Sequence, residues 1–413
     1  MTAGMIRFRW LLAASLMPAA LPAQVRPPID AALDRVRALN DWTLTQQVEL
    51  CQIPAPPFKE AARAAELARR MEALGLRNIR IDAEGNVIGE RPGVGPGPRV
   101  VLSAHLDTVF PDSVDVTVRQ TGTRYEGPGI GDDCRGLAVL LIVARTLQET
   151  DVRTQGTLVF IGTVGEEGPG NLRGVKHLVD QQSAGPIDYF ISVDGTGLTA
   201  VNRAVASHRY RVFFRGPGGH SFGDFGIPNP IHALGRAVAA IAQINVPAVP
   251  RTTFNVGVIN GGTSVNAIPM EGWFDLDLRS ESQAALDTLD ARIRRAVTAA
   301  IDAEHARWPG SSARVSAELR EIGKRAGGVL PDTATIVRAT MAAARALGFV
   351  PAMTASSTDA NYPIAAGIQS ITIDGGGSGG SAHSLNEWYD DGEDGWKGPQ
   401  WALLLVLSLA GMG

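Results

Sequence analysis

Several carboxylate and imidazole side chains of this 413-residue sequence stand at the ends of apolar runs, where they could bind a metal ion. His105 and Asp107 follow the apolar run 99–102. In an extended chain residues i and i+2 project to the same face, so this imidazole and carboxylate can lie side by side. A carboxylate next to a metal-binding histidine fixes the ring tautomer and raises its basicity. Alone, the pair would only be a polar strand end that meets solvent.

A second acidic pair precedes a helical pattern. Asp132 and Asp133 stand directly before the apolar stretch 137–147. The glycines around them do not have the spacing of a phosphate-binding loop, and two adjacent carboxylates would repel a pyrophosphate. We therefore expect one aspartate to cap the helix and the other to bind a divalent cation.

Further carboxylates follow two other buried strands. Glu166 and Glu167 come after the apolar run 157–161, and Asp194 directly follows the run 189–193. Two consecutive glutamates are costly to bury without a counter-charge. Their roles divide naturally between a metal ligand and a base that accepts a proton from water.

A histidine in a glycine-rich region completes the set. Of the seven histidines, His105 and His383 lie in loops of small polar residues rather than on amphipathic helical faces. Two imidazoles and three carboxylates suit two zinc-like ions that share one bridging carboxylate. The candidate ligands are His105, Asp132, Glu167, Asp194 and His383.

Short strands and helices alternate around these residues. A helical pattern over 29–53 and a second over 58–74 precede strands at 79–81, 87–89 and 99–102. This alternation predicts an α/β protein with a wound mixed β-sheet. Between 207 and 320 the order becomes β-α-β-β-α-β, which is typical of a ferredoxin-like sandwich. We expect an inserted α+β lid or dimerisation domain there, with a catalytic domain formed by 24–206 and 321–413.

Composition and the N-terminus limit the compartment and the partners. Arg7 and Arg9 precede an apolar stretch that ends near Ala23, which predicts a signal peptide over 1–23 and export to the periplasm or medium. No stable membrane span is expected after its cleavage. The net charge of −4 argues against a nucleic-acid partner. Two cysteines, Cys51 and Cys134, are too few for a disulfide scaffold, although they could form a single bridge with each other.

After the signal segment, the whole chain resembles the co-catalytic di-zinc metallopeptidases that include peptidase T, aminoacylase, carboxypeptidase G2 and carnosinase. The sequence differs from many members at Cys134, where they have lysine, and Arg135 follows it. The motifs that carry the resemblance are Ser-Ala-His105-Leu-Asp107-Thr-Val, Gly-Asp132-Asp133, Gly-Glu166-Glu167-Gly, Val-Asp194-Gly, Gly-Gly-His220-Ser and His383-Ser-x-x-Glu387.

The resemblance implies how the metal ligands are divided. One ion would be bound by His105 and Asp194, and the other by Glu167 and His383. Asp132 would bridge the two ions and would be joined to the next residue by a cis peptide.

The resemblance also implies roles for residues that bind no metal. Asp107 would orient the metal-binding His105, and Glu166 would be the general base. In the lid, His220 and Asn266 would stabilise the oxyanion.

His220 would stabilise the oxyanion by reaching across a homodimer that forms through the lid. Arg279, and also Arg325, would bind a substrate carboxylate through bidentate hydrogen bonds.

The expected reaction is metal-assisted hydrolysis of an amide. Two divalent ions would activate water for attack. The ligands suit zinc best, although cobalt or manganese also fit them. The loops 356–360 and 375–380 are most similar to the peptidase T branch, which favours aminopeptidase-type cleavage of di- and tripeptides. An N-acyl-amino-acid deacylase or a carboxypeptidase would use the same site. A non-catalytic peptide-binding protein on this fold is the alternative from another class.

Overall fold

The structure is a computed structural model that describes residues 26–413. The predicted signal peptide lies outside the described residues. Within the described range, no helix combines the length and the apolar character needed to cross a membrane.

The helices cover both faces of a central sheet and one face of a smaller one. Their bounds are α1 Arg26–Ala38, α2 Asn40–Cys51, α3 Ala61–Ala73, α4 Cys134–Glu149, α5 Arg173–Asp180, α6 Pro230–Ala242, α7 Gln283–Arg307, α8 Thr335–Ala346, α9 Asn361–Ala365 and α10 Lys397–Ala410.

The strands alternate with these helices along the chain. Their bounds are β1 Arg77–Ile81, β2 Val87–Arg91, β3 Arg99–His105, β4 Arg119–Thr121, β5 Arg124–Glu126, β6 Thr157–Thr163, β7 Tyr189–Val193, β8 Ala200–Ala204, β9 Ala206–Arg215, β10 Gly219–His220, β11 Thr252–Gly261, β12 Ala267–Ile268, β13 Glu271–Ser280, β14 Ser316–Arg325, β15 Gly328–Val329, β16 Met353–Ser356, β17 Gln369–Ile373, β18 Ser378–Gly380 and β19 Trp388–Asp390.

The central sheet has the order β1-β2-β6-β3-β7-β17-β8-β15, with β16 paired alongside β8. Its inner strands β6, β3, β7 and β17 run parallel, whereas β2 and β8 join them antiparallel. The inner strands are apolar and buried on both faces because helices cover both faces of the sheet. This arrangement confirms the predicted wound mixed sheet. It also brings the carboxyl ends of β3, β6, β7 and β17 to one edge.

The inserted region folds into a separate four-stranded antiparallel sheet with the order β11-β13-β9-β14. Helices α6 and α7 pack on this sheet around a core of its own, which includes Phe214, Phe274 and Leu276. The order is that of a ferredoxin-like sandwich, as the strand and helix pattern predicts. The last strand continues past residue 320 to Arg325, whose side chain contacts Glu166 in the loop after β6.

The structure differs from the sequence prediction in two instructive places. The single helix expected over 29–53 is two helices, because the chain leaves the helical conformation at Leu39. The break lets α1 contact α10 while α2 packs along α4. Strands β3 and β6 extend beyond their apolar runs, to His105 and Thr163, because backbone pairing continues where the side chains become polar.

Candidate active site

His105 ends β3 and is held by both ring nitrogens. Its Nδ1 lies 2.9 Å from the backbone carbonyl oxygen of Asp107, and its Nε2 lies 2.9 Å from Oδ1 of Asp132. Because the carbonyl can only accept, the proton of the neutral ring is on Nδ1. The lone pair of Nε2 is therefore available to a metal ion.

Asp107 makes contacts that differ from the expected ones. Its carboxylate accepts hydrogen bonds from the backbone N–H groups of Glu166, at 3.0 Å, and Glu167, at 2.8 Å. Its Oδ1 is 3.7 Å from Nδ1 of His105, so the ring is oriented by the Asp107 carbonyl rather than by its carboxylate. The reason is that these two amides have left the strand ladder and need an acceptor. Asp107 thus links the histidine to the glutamate pair.

The two adjacent aspartates have separate roles in the structure. Asp133 caps α4 by accepting a hydrogen bond from the backbone N–H of Gly136, and its other oxygen accepts one from the N–H of His105. The carboxylate oxygens of Asp132 face one histidine each, with Oδ2 3.1 Å from Nε2 of His383. The peptide between the aspartates is cis. Asp133 is thus the predicted helix cap, and Asp132 stays the candidate ligand.

The five candidate metal ligands meet in two groups. Ligand atoms of His105, Asp132 and Asp194 lie within 4.8 Å of one another, and those of Asp132, Glu167 and His383 do the same. Asp132 belongs to both groups. The structure therefore brings together all five residues, with Asp132 shared by both groups. A third group joins His105 and Glu167 to Glu166.

The electrostatics of the cluster favour cations. Burial, together with the charge of Asp132, raises the pKa of Asp194 to about 7. Hydrogen bonds to Asp132 and Glu167 raise the pKa of His383 to about 10. Crowded, buried carboxylates of this kind need a counter-charge. Imidazole nitrogen and carboxylate oxygen are donors that zinc and related divalent ions accept, so these residues fit a two-metal centre.

Glu166 is buried beside the cluster and pairs with Arg325. Its Oε1 is 2.8 Å from Nη1 of Arg325, and Nη2 of the same arginine donates to the backbone carbonyl of Glu166. Burial raises the pKa of Glu166 well above its usual range, and the guanidinium opposes that rise. Arg325, expected to bind substrate, is engaged with the candidate base.

A cavity of about 660 Å³ opens over the cluster. The loop before α4 contributes Asp132 to its wall, and the segments after β6 and β7 contribute Glu166, Glu167 and Asp194. Asp374 and His383 line it from the segments after β17 and β18. Arg209 and Arg279 reach it from lid strands β9 and β13, and Arg325 from β14.

Comparison with known proteins assigns the family. The profile of Peptidase family M20/M25/M40 matches residues 101–404. This chain belongs to that peptidase family.

Curated members match parts of this M20 chain. A succinyl-diaminopimelate desuccinylase of Corynebacterium glutamicum is 26% identical over 265 residues, which are 62% of this chain and 69% of the relative. Carboxypeptidase G2 of a Pseudomonas species is 28% identical over 251 residues, 57% of this chain and 59% of that protein. The match to carboxypeptidase G2 thus spans less than two thirds of its length.

Solved structures share the fold over almost the whole chain. Aminopeptidase PepT of Bacillus cereus has a TM-score of 0.70 at 21% identity and covers 92% of this chain and 98% of its own. Human carnosine dipeptidase 1 has a TM-score of 0.69 at 14% identity, and the match covers 92% of this chain and 99% of the dipeptidase. The M20 assignment makes this protein a metal-dependent hydrolase of the peptidase and amidohydrolase type.

Two predicted oxyanion residues of this M20 chain are not in the cavity. His220 is exposed in the short pair β10–β12, and Nδ1 of its ring accepts hydrogen bonds from the backbone N–H groups of Phe222 and Gly223. Asn266 lies next to it, since its carbonyl accepts the N–H of Ser221 at 3.0 Å. Within the described chain the two residues form one patch of the lid that does not line the metal cavity.

Two functional candidates were missed by the sequence analysis. Glu387, noted there only as part of a motif, accepts backbone hydrogen bonds from Gly129, Gly131 and Asp132. Asp374 lines the cavity directly after β17. A carboxylate at the end of an apolar run is the signal that found Asp194, and it would also have found Asp374.

Proposed function

We propose that this protein is an exported aminopeptidase that hydrolyses di- and tripeptides with a free amino terminus. The observation that carries the proposal is the pairing of opposite charges in the cavity over the metal ligands. A carboxylate, Asp374, and lid guanidinium groups line the same cavity. A short peptide zwitterion has the complementary charges.

Asp374 supplies the group for a substrate ammonium. Its Oδ2 accepts the backbone N–H of Thr199 at 2.7 Å, and no Lys, Arg or His within residues 26–413 forms an ion pair with it. Burial raises the pKa of Asp374 to about 6. An ammonium group bound there would form a charge-assisted hydrogen bond with a carboxylate that has little other compensation.

Arg279 supplies the group for a substrate carboxylate. Its Nε donates to Oδ2 of Asp277 at 2.8 Å, and its terminal nitrogens have no hydrogen bond in the described part of the chain. Arg209 shares the same aspartate through Oδ1 at 2.8 Å. Two guanidinium groups on one carboxylate leave a net positive charge. The cavity volume is in the range of small-molecule sites.

The bound cations would lower the pKa of a water molecule and polarise the scissile carbonyl. Oε2 of Glu166 would take the proton from that water, because Oε1 is already bonded to Arg325. The water oxygen would add to the scissile carbonyl carbon. As the C–N bond then breaks, the same carboxyl group would give the proton to the leaving nitrogen. Asp107 would keep the backbone of Glu166 and Glu167 fixed during these transfers.

His220 completes the proposal if a second copy of the chain is present. The two backbone N–H groups that donate to its Nδ1 leave the proton of the neutral ring on Nε2. Nε2–H is then a donor at an exposed position. We propose that it stabilises the oxyanion in the site of a partner subunit, in a homodimer formed through the lid.

The relatives favour a second candidate. The desuccinylase and carboxypeptidase matches are named for reactions on acylated substrates or C-terminal residues. An enzyme of either type would use the guanidinium wall for a substrate carboxylate.

The test is a substrate panel with purified mature protein. The panel contains unblocked di- and tripeptides together with N-acetyl and N-succinyl amino acids. Each compound is assayed before chelation, after chelation and after zinc is restored. We expect hydrolysis of the unblocked peptides, loss on chelation and recovery with zinc. Preference for the N-acyl compounds would establish the second candidate. Two bound metal ions without any hydrolysis would indicate a peptide-binding protein.

N-terminal sequencing of the same preparation tests cleavage of the signal peptide.

A further inference from the structure

The contact between Arg325 and Glu166 joins the lid to the candidate general base. Arg325 is the last residue of β14 and pairs with Ser207 of β9 in the lid sheet. Glu166 lies in the loop after β6 of the catalytic sheet. The two residues are 159 positions apart in the chain. Their contact is therefore a property of how the lid sits on the sheet.

Arg325 holds Glu166 at two points. Nη1 is 2.8 Å from the carboxylate, Nη2 donates to the backbone carbonyl, and Nη1 is also 3.0 Å from Oγ of Ser357. The arginine is only 6% exposed. Among the described residues, Glu166 is the carboxylate within ion-pair distance of Arg325. A planar guanidinium bound to both ends of one residue fixes its orientation better than a point charge could.

We propose that Arg325 is a positioning residue for the general base, and that it holds the Glu166 carboxylate in its reactive orientation rather than binding a substrate carboxylate. The inference rests on the proposed hydrolytic function. It assigns the two lid arginines different tasks. Within residues 26–413, the terminal nitrogens of Arg279 have no hydrogen-bond partner, whereas both terminal nitrogens of Arg325 are occupied by Glu166 and Ser357.

The kinetic test compares Arg325→Ala and Arg325→Lys with Arg279→Ala on a dipeptide and its C-terminal amide. Misplacing a catalytic group by about 1 Å can cost roughly 100-fold in rate. For Arg325→Ala we therefore expect kcat to fall by about 10- to 100-fold on both substrates, with KM little changed. Added guanidinium should restore part of the rate. Arg325→Lys should recover little, since one ammonium cannot replace the two-point contact.

Arg279→Ala is the contrast within the same cavity. Its effect should fall mainly on KM and should be much smaller on the amide, which lacks the carboxylate. If Arg325→Ala shows that same pattern, Arg325 binds substrate and the proposal is wrong.

A second measurement does not depend on activity. Thermal unfolding of the metal-free protein is compared for Arg325→Gln, Glu166→Gln and the double variant. Each single change leaves a buried charge without its partner, so the Tm of the double variant should fall by less than the sum of the single shifts. If the Tm shift of the double variant equals the sum of the single shifts, Arg325 and Glu166 do not interact and the proposal is wrong, whatever the activities are. If the wild type hydrolyses no peptide, the proposed function fails, while this cycle still decides the Arg325 contact.

Discussion

Glu166 and Glu167 are neighbours in the chain with different surroundings. Both backbone amides are fixed by the Asp107 carboxylate, but the two side chains have different partners. Oε1 of Glu167 is 2.8 Å from Nε2 of His383. The carboxylate of Glu166 pairs with Arg325, although it also lies near the ligand atoms of His105 and Glu167. Their positions support a ligand role for one and a proton-transfer role for the other.

Exchanging each glutamate for glutamine should separate these roles. Glu166→Gln should keep two equivalents of metal and lose about 100- to 10,000-fold in kcat, the scale of general acid–base catalysis. Glu167→Gln should instead lose metal, because a neutral amide is a weaker ligand than a carboxylate. Metal analysis and kinetics on the same samples measure both. The opposite result would mean that the two assignments are reversed.

Asp374→Asn tests the ammonium site. Losing one charge-assisted hydrogen bond costs about 1.5–3 kcal/mol, so kcat/KM for an unblocked dipeptide should fall by roughly 10- to 100-fold. The des-amino analogue of that dipeptide, which has no ammonium group, should be hydrolysed equally by both proteins. Asp332→Asn, at an exposed position, is the matched control. A loss that is the same for both substrates would show that Asp374 has only a structural role.

At the scale of elements, the site is built from strand ends and the loops that follow them. The turn that carries His383 also carries Glu387, whose carboxylate accepts three backbone N–H groups of the loop before α4. Glu387 is 2% exposed, and burial with the nearby Asp132 raises its pKa to about 7. One short segment therefore provides the candidate ligand His383 and fixes the backbone of Asp132.

Glu387→Gln should weaken metal binding without touching a ligand. The glutamine amide would turn an N–H group toward one of the three backbone donors, which would displace the loop of Asp132. Loss of such a supporting contact typically costs about 10- to 100-fold in metal affinity. Competition with a chelator measures the affinity, and Glu393→Gln on an exposed loop is the control. Equal affinities in the two variants would argue against this supporting role.

The sequence predicts the strands of the central sheet and the convergence of the candidate metal ligands because both leave local signals. Apolar runs mark β3, β6 and β7, and the polar residues that follow them converge at one edge of a parallel sheet. The contacts of Asp107 and Arg325 could not be predicted in this way. They join segments 59 or more positions apart, and they depend on which backbone amides remain unpaired and on how the lid meets the sheet. The break at Leu39 likewise follows from packing on α4 and α10.

At the scale of the whole molecule, the lid provides two separated sets of polar residues. Arg209, Arg279 and Arg325 line the metal cavity of their own chain, whereas His220 and Asn266 do not. Strand β11 is at the edge of the lid sheet and exposes Val258 and Ile259. An exposed apolar edge strand is a surface on which a second copy could pair. The lid therefore has features that suit a homodimer.

Mixing two inactive variants tests whether His220 acts across that dimer. His220→Ala should lose roughly 100- to 1,000-fold in kcat, the scale of one oxyanion donor, and Glu166→Ala should be nearly inactive. In a mixed dimer, the site of the His220→Ala chain keeps Glu166 and receives an intact histidine from the other chain. Random exchange gives mixed dimers in half of the population with one working site each, so activity should rise to about a quarter of the wild type. If the histidine serves its own chain, no mixture regains activity, because each site still lacks one group. Mixing Glu166→Ala with Glu167→Gln is the control, since both changes disable the site of their own chain and exchange cannot repair it.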